Sequence, residues 1–174
     1  GKELTPGDVS FVQGFQLWVA LPPALENGEP QSRYLEARDV PTVGPARIIL
    51  GTHAAVRSST ALPDGINYLL VTLKAGESWT YQPPVGQTVG WLAVAKGLLQ
   101  ADVPVPAGDL AIFEEIEGEI TVQAGPGGDA VFVLGSAVPH PHELHLGHYS
   151  VHTSAQALEA GERRIEELRQ HMVA

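Results

Sequence analysis

Gly14-Phe15-Gln16-Leu17-Trp18-Val19-Ala20-Leu21-Pro22 is the stretch on which the reading of this chain turns. It belongs to a β-rich run over 11–21 that presents an apolar face and stops at Pro22-Pro23. Downstream, eight further β-rich runs follow, at 46–54, 66–73, 77–82, 88–96, 98–103, 109–116, 119–124 and 130–136, each set off by Gly, Pro or Asp. Short strands at such spacing predict a sandwich or jelly roll. Ala95-Lys96-Gly97-Leu98 reads as a hairpin turn, as do Glu117-Gly118-Glu119 and Gly125–Asp129. No self-similar period appears, so a repeat array is excluded. Between the first run and the second lies 22–45, a charged, irregular linker bounded by Pro22, Pro23, Pro30, Pro41 and Pro45.

The composition suits one compact domain: 174 residues, 44% hydrophobic and 17% charged, enough apolar material for a real core. Nineteen Gly and fourteen Pro, spread along the chain, mark many turns rather than a low-complexity tract. No apolar run approaches a membrane span. The absence of Cys excludes a disulfide framework, a thiolate nucleophile and a Cys-based zinc site. A cytoplasmic location is the simplest expectation. Gly1-Lys2-Glu3-Leu4 is neither a signal peptide nor an initiator Met, which points to an expression scar or a longer parent.

The net charge of −10 and the scattered bases argue against direct nucleic-acid binding. The only basic pair, Arg163-Arg164, stands among Glu159, Glu162, Glu166 and Glu167. Glu114, Glu115, Glu117 and Glu119 read as a solvated hairpin tip around Gly118 rather than a calcium site. After Gly147 the apolar period lengthens to nearly four and predicts a helix over 153–174. Thr153-Ser154-Ala155-Gln156 fits a capping box with Thr153 as cap. Leu158, Ile165, Leu168 and Met172 form one stripe, expected to pack on the chain's own sandwich. Gly161 falls on that stripe, so the helix either breaks there or packs its backbone closely against another surface.

The order of these features resembles the C-terminal domain of pirin-family proteins over about residues 14–170. Gln16-Leu17-Trp18-Val19 is similar to the strand by which pirins leave their first cupin barrel. It is followed by the acidic linker, Arg47–Gly51, Tyr68–Val71 and Pro106-Ala107-Gly108-Asp109. Gly147-His148-Tyr149-Ser150-Val151-His152-Thr153 resembles the stretch that caps the family's last helix. Leu4–Phe11 looks like the closing hairpin of an N-terminal cupin, so residues 1–13 read as its remnant. The resemblance implies a bicupin parent, a cupin barrel over 14–152, and iron or another divalent metal in the first cupin. Some bacterial relatives resemble quercetin 2,3-dioxygenases, and animal members are transcriptional cofactors.

The departures from that pattern carry equal weight. A metal-binding cupin needs three His and one Glu converging inside the barrel. Its first motif, G-x5-H-x-H-x3,4-E, laid from Gly76, puts Gln82 and Pro84 at the His positions and Thr88 or Val89 at the Glu position. Its second, P-x-G-x2-H, laid from Pro106 and Gly108, puts Ala111 at the His position. The resemblance therefore implies a metal-free domain with no catalytic residue and no cofactor of its own. Upstream, Gln13 runs straight into Gly14 where the family's final ligands would stand, so the first cupin is either naturally absent or was cut away. Three roles follow. One is a structural or regulatory domain that self-associates or pairs with another cupin or a protein partner. Another is one half of a quercetinase-like oxygenase. The third is a module holding a small apolar ligand inside the barrel, lined by Tyr68, Trp79, Gln82 and Trp91. Trp18, Trp79 and Trp91 are expected in the core.

Five of the seven His lie between His140 and His152. His140, His142 and His145, with Glu143, form a candidate surface metal site, since alternate residues of an extended strand share a face. The competing reading, favoured by Pro139 and Pro141, is a polyproline-like strap with solvated rings. His148 and His152, near the helix start, are expected to pack in neutral form and to cost stability between pH 7 and 5. No G-x-S-x-G elbow, Walker loop or H-E-x-x-H motif is present.

Overall fold

The structure is a computed structural model and describes residues 13–60 and 64–173, with side chains as far as His171. In chain order the strands begin with β1 (Thr42–Val43), β2 (Ala46–Leu50), β3 (Thr52–His53), β4 (Val56–Arg57) and β5 (Ile66–Leu73). Next come β6 (Ser78–Tyr81), β7 (Val89–Lys96), β8 (Leu98–Gln100), β9 (Pro104–Pro106) and β10 (Leu110–Ile112). The last four are β11 (Ile120–Ala124), β12 (Ala130–Ala137), β13 (His145–Leu146) and β14 (Val151–His152), before helix α1 (Ala155–Val173).

Two antiparallel sheets face each other. One has six strands in the order β1-β2-β5-β12-β7-β10, the other four in the order β6-β11-β8-β9. Their edges are not bonded to one another, so the domain is a jelly-roll sandwich and not the closed barrel expected. The core between them is built by period-two alternation. Leu69, Val71 and Leu73 of β5, Leu92 and Val94 of β7, and Phe132 and Leu134 of β12 meet Tyr81, Leu99 and Val122 from the other sheet.

The same alternation sends Tyr68, Leu70, Trp91, Ala93 and Val133 to the opposite face of the six-stranded sheet, where Leu17 covers them. Trp91 lies flat across Gly135, its cross-strand partner, occupying the space a Cβ would need there. Residues 13–21 make no strand, and Trp18 is 68% exposed, so neither a strand over the described part of the run nor a buried Trp18 is found. Residues 11 and 12, and the hairpin remnant before them, lie outside the described residues. The linker is not wholly irregular, since its end, Thr42–Val43, is an edge strand of the larger sheet.

The helix begins at Ala155, and its cap is Ser154, whose hydroxyl accepts the Ala157 amide at 3.1 Å. Thr153, expected to fill that role, serves a different partner described below. The helix packs on the β13–β14 hairpin and on the turn at 22–28. No helix among the described residues is long and apolar enough to cross a membrane.

Gly161 resolves in favour of close packing. It is buried, and the His152 ring stands where its Cβ would be. Alanine is about 1 kcal/mol better than glycine in a helix interior, yet Gly161→Ala is expected to destabilise. Forcing a methyl into a rigid imidazole costs typically 1–3 kcal/mol. A higher melting temperature for Gly161→Ala would refute the contact.

Candidate functional site

The polar interior of the sandwich is a chain of four side chains. Asn67, Tyr81, Gln87 and Ser136 are all less than a tenth exposed. Asn67 Nδ2 donates to Tyr81 Oη at 2.8 Å. Ser136 Oγ donates to Gln87 Oε1 at 2.5 Å. Ser136 has one proton, so Tyr81, 2.8 Å from the same oxygen, donates to it. The chain is thus directed from Asn67 to Gln87, each hydroxyl giving one bond and taking one. Burial pushes the Tyr81 phenol up from its ordinary pKa, against the opposing hydrogen bonds of Ser136 and Asn67. The group stays a phenol.

Asn67 also ties the interior to the β3–β4 hairpin. Its Oδ1 accepts the Thr52 amide at 2.9 Å and its Nδ2 donates to the Thr52 carbonyl at 2.7 Å. The neighbouring Gly51 makes this possible: at φ +80° it adopts a conformation L side chains rarely take, and a Cβ there would strike the Asn67 carboxamide. The hairpin then lays His53 over the aromatic pair beneath it. Its ring centroid is 5.8 Å from that of Trp79 and 5.6 Å from that of Tyr81. Burial lowers the His53 pKa.

Two cavities flank the chain. A smaller one, about 160 Å³, is lined by Thr52, Arg57, Asp64, Asn67 and Gln87. The larger, about 520 Å³, opens between the edge strand β10 and the β8–β9 turn. Val89, Val105, Ala111, Phe113 and Ile120 wall it, and Gln87 lines both cavities.

The four residues expected to line one interior site are divided. Trp79 does face the core, stacked on Tyr81 at 5.9 Å. Tyr68 and Trp91 belong to the outer face, on the far side of the sheet. Gln82 is exposed. The register laid from Gly76 is off by one: Tyr81, not Gln82, points inward, and Gln87 rather than Thr88 or Val89 is the buried polar group after it. Ala111 is half-buried against the core, as the second motif's register implies.

These residues do not fit a divalent metal. The inward polar groups are two carboxamides, a phenol and an alcohol, and they are bonded to one another. His53, the imidazole nearest them, packs by its ring. Among the described residues no three His, Asp or Glu side chains gather as a metal site would need. The half-buried His140 and the exposed His142 come together edge to face, ring centroids 5.6 Å apart, and the His142 amide donates to His140 Nδ1 at 3.3 Å. His145 lies elsewhere, paired across β13–β14 with His152. The expected triad is not assembled.

His152 belongs to a second buried site. Its Nδ1 is 3.4 Å from Glu26 Oε2, and both side chains retain 5% exposure. The Glu26 carboxylate also accepts the Thr153 amide at 2.7 Å and the Thr153 hydroxyl at 2.8 Å. Asn27 Nδ2 adds a bond to the Ala157 carbonyl at 3.3 Å. The start of the linker is thereby latched to the start of the helix. Burial alone would raise the Glu26 pKa, but the two Thr153 hydrogen bonds and the charge of His152 outweigh it and hold the group below the ordinary carboxylate range. His148 is exposed, so it does not share this packing.

Comparison with solved structures matches the fold to that of quercetin 2,3-dioxygenase from Acinetobacter baumannii. The TM-score is 0.77 at 18% identity, over 86% of this chain and 54% of that one. A second structure of a quercetin 2,3-dioxygenase from the same organism gives 0.71 at 16% identity, over 88% and 50%. GK1651 from Geobacillus kaustophilus gives 0.58 at 24%, over 71% and 54%. The chain spans about half the length of each of these. No protein-family model matches the sequence, and no curated protein matches it. At such identities the likeness speaks for architecture alone, and it establishes that this chain has the cupin β-sandwich fold.

Proposed function

We propose that this chain is a non-catalytic cupin domain of the pirin type, with a structural or regulatory role. The observation that carries this reading is the closed polar chain Asn67–Tyr81–Ser136–Gln87. It fills the interior with groups bonded to one another instead of with imidazoles and carboxylates aimed at a metal. The domain then acts by pairing, with a second copy or with a metal-bearing cupin. Phe15 and Trp18, 40% and 68% exposed beside the covered outer face, provide the apolar anchor for that contact. Metal analysis after purification without a His tag tests the first part. No stoichiometric iron is expected, and iron that survives His140→Ala with His142→Ala would overturn it. Sedimentation of the isolated chain at micromolar concentration tests the second, with a dimer expected and a pure monomer counting against it.

A second reading is favoured by the match to about half of a quercetin 2,3-dioxygenase chain. Here the domain supports an oxygenase whose active site lies in an N-terminal cupin of the parent protein. An H-x-H pair upstream in the parent's reading frame would support it. Oxygenase activity of that parent would then survive Gln87→Leu in this domain.

A further inference from the structure

We infer that the larger cavity is a binding site for an organic cation with an apolar body, such as an aryl-alkyl ammonium. Three observations converge on it. The cavity, about 520 Å³, has the size of a small-molecule site, and Val105, Phe113 and Ile120 give it an apolar side next to a polar one. Every ionisable group on its lining is an acid: Asp102, Glu114 and Glu119, with no Lys, Arg or His among them. Gln87, 7% exposed and lining both this cavity and the smaller one, spends its carboxamide oxygen on Ser136, while its nitrogen makes no hydrogen bond among the described residues. That nitrogen is a donor held in place by the buried chain behind it, and it asks for an acceptor.

The chemistry of the occupant follows. An apolar body fills the space between Val105, Phe113 and Ile120, a weak acceptor such as a π-face or an ether oxygen meets Gln87, and a positive charge rests at the mouth. A metal ion does not answer the same description. No three carboxylates converge there, as inner-sphere coordination would need. A diffuse organic charge has no such requirement, because it responds to the summed field of the rim, which a low-dielectric cavity focuses. An anion would meet three like charges. The acids read from the sequence as a solvated hairpin tip thus acquire a role from their placement around a cavity. The inference stands apart from the proposed lack of catalysis: iron in the interior would overturn that reading, whereas this one turns on an amine.

The test is a matched series of probes titrated into the isotope-labelled chain: 2-phenylethylammonium, the neutral 2-phenylethanol and the anionic 3-phenylpropionate. NMR shifts of the Ala111 and Ile120 methyl groups and the Gln87 side-chain amide report the site. The ammonium is expected to bind about tenfold or more tighter than the alcohol, a difference of about 1.4 kcal/mol. The anion is expected not to bind. Raising the salt should erode the preference for the cation, since the rim is exposed. Glu114→Gln with Glu119→Gln, both exposed positions, should bring the ammonium close to the alcohol in affinity, and Ala111→Leu should weaken both. If Ala111→Leu fails to fold, the glutamine pair still decides the matter. Three outcomes overturn the proposal: equal binding of amine and alcohol, shifts that map outside the cavity, or calcium displacing the amine stoichiometrically.

Discussion

Asn67→Ala is expected to destabilise the domain by roughly 3 kcal/mol, because it removes the partner of three polar groups at once, one buried and two part-buried. The Thr52 amide and carbonyl both lose their side-chain partner, and the Tyr81 hydroxyl loses its donor. For a domain of this size such a loss corresponds to a fall of about 10 °C in melting temperature. Tyr81→Phe is expected to cost less, about 1–2 kcal/mol, since the ring still fills its place and only the hydroxyl's bonds are lost. The two substitutions share one hydrogen bond, so the double variant should cost less than the sum. Additive losses, or a cost for Asn67→Ala under about 1 kcal/mol, would mean that the chain does not act as a unit. It would then no longer explain how a sandwich without metal keeps its interior polar groups satisfied.

How far the sequence disclosed this arrangement depends on what kind of signal each part leaves. The strands were legible because turn chemistry and apolar runs are local. Ile66–Leu73 is a strand over the same residues in both readings, and β7 and β12 differ from expectation by one residue at an end. Facing was less legible, because β5 is apolar on both sides and alternation alone does not say which side is inside. Parity nevertheless held information. Trp79 and Gln82 cannot share a face of one strand, and choosing Trp79 as interior selects Tyr81. Asn67 and Ser136 were visible as lone polar residues inside apolar runs, the kind of residue that must find a buried partner. Gln87 left no such mark, since it lies in a loop where no period applies. The two ends of the Glu26 latch are 127 residues apart, and a carboxylate reaching a backbone amide across that distance has no sequence pattern at all. A capping box was expected at Thr153, but the neighbouring Ser154 captures the helix and frees Thr153 for Glu26.

That latch carries the second large effect, and it relocates the pH response expected from the histidines. With the Glu26 pKa depressed in the folded state, ionised Glu26 contributes stability that is fully present above the unfolded value, about 4.3 for glutamate. That stability is lost as pH falls through the lower, folded value. The groups facing the carboxylate are His152 and Thr153, with Glu162 nearby holding the His148 amide and the Ser150 hydroxyl. His148 is exposed and has no share in this pairing, so the loss expected between pH 7 and 5 from both rings has lost one of its two supports. The latch itself should hold over that range and open below the ordinary glutamate value. Glu26→Ala should abolish it at every pH, leaving the Thr153 amide and hydroxyl without their partner and His152 without its facing carboxylate, at a cost of about 2–4 kcal/mol. Because the bonds join the turn at 22–28 to the helix start, the damage should be local. Amide exchange should quicken at Thr153 and through the first turns of α1, while β5, β7 and β12 keep their protection. Glu26→Gln separates charge from shape: it retains an acceptor for Thr153 but has no titration, so its stability should be flat where the parent's falls. If the parent and Glu26→Gln lose stability in parallel below about pH 4.3, the carboxylate is not the titrating group and the latch does not govern the acid limb.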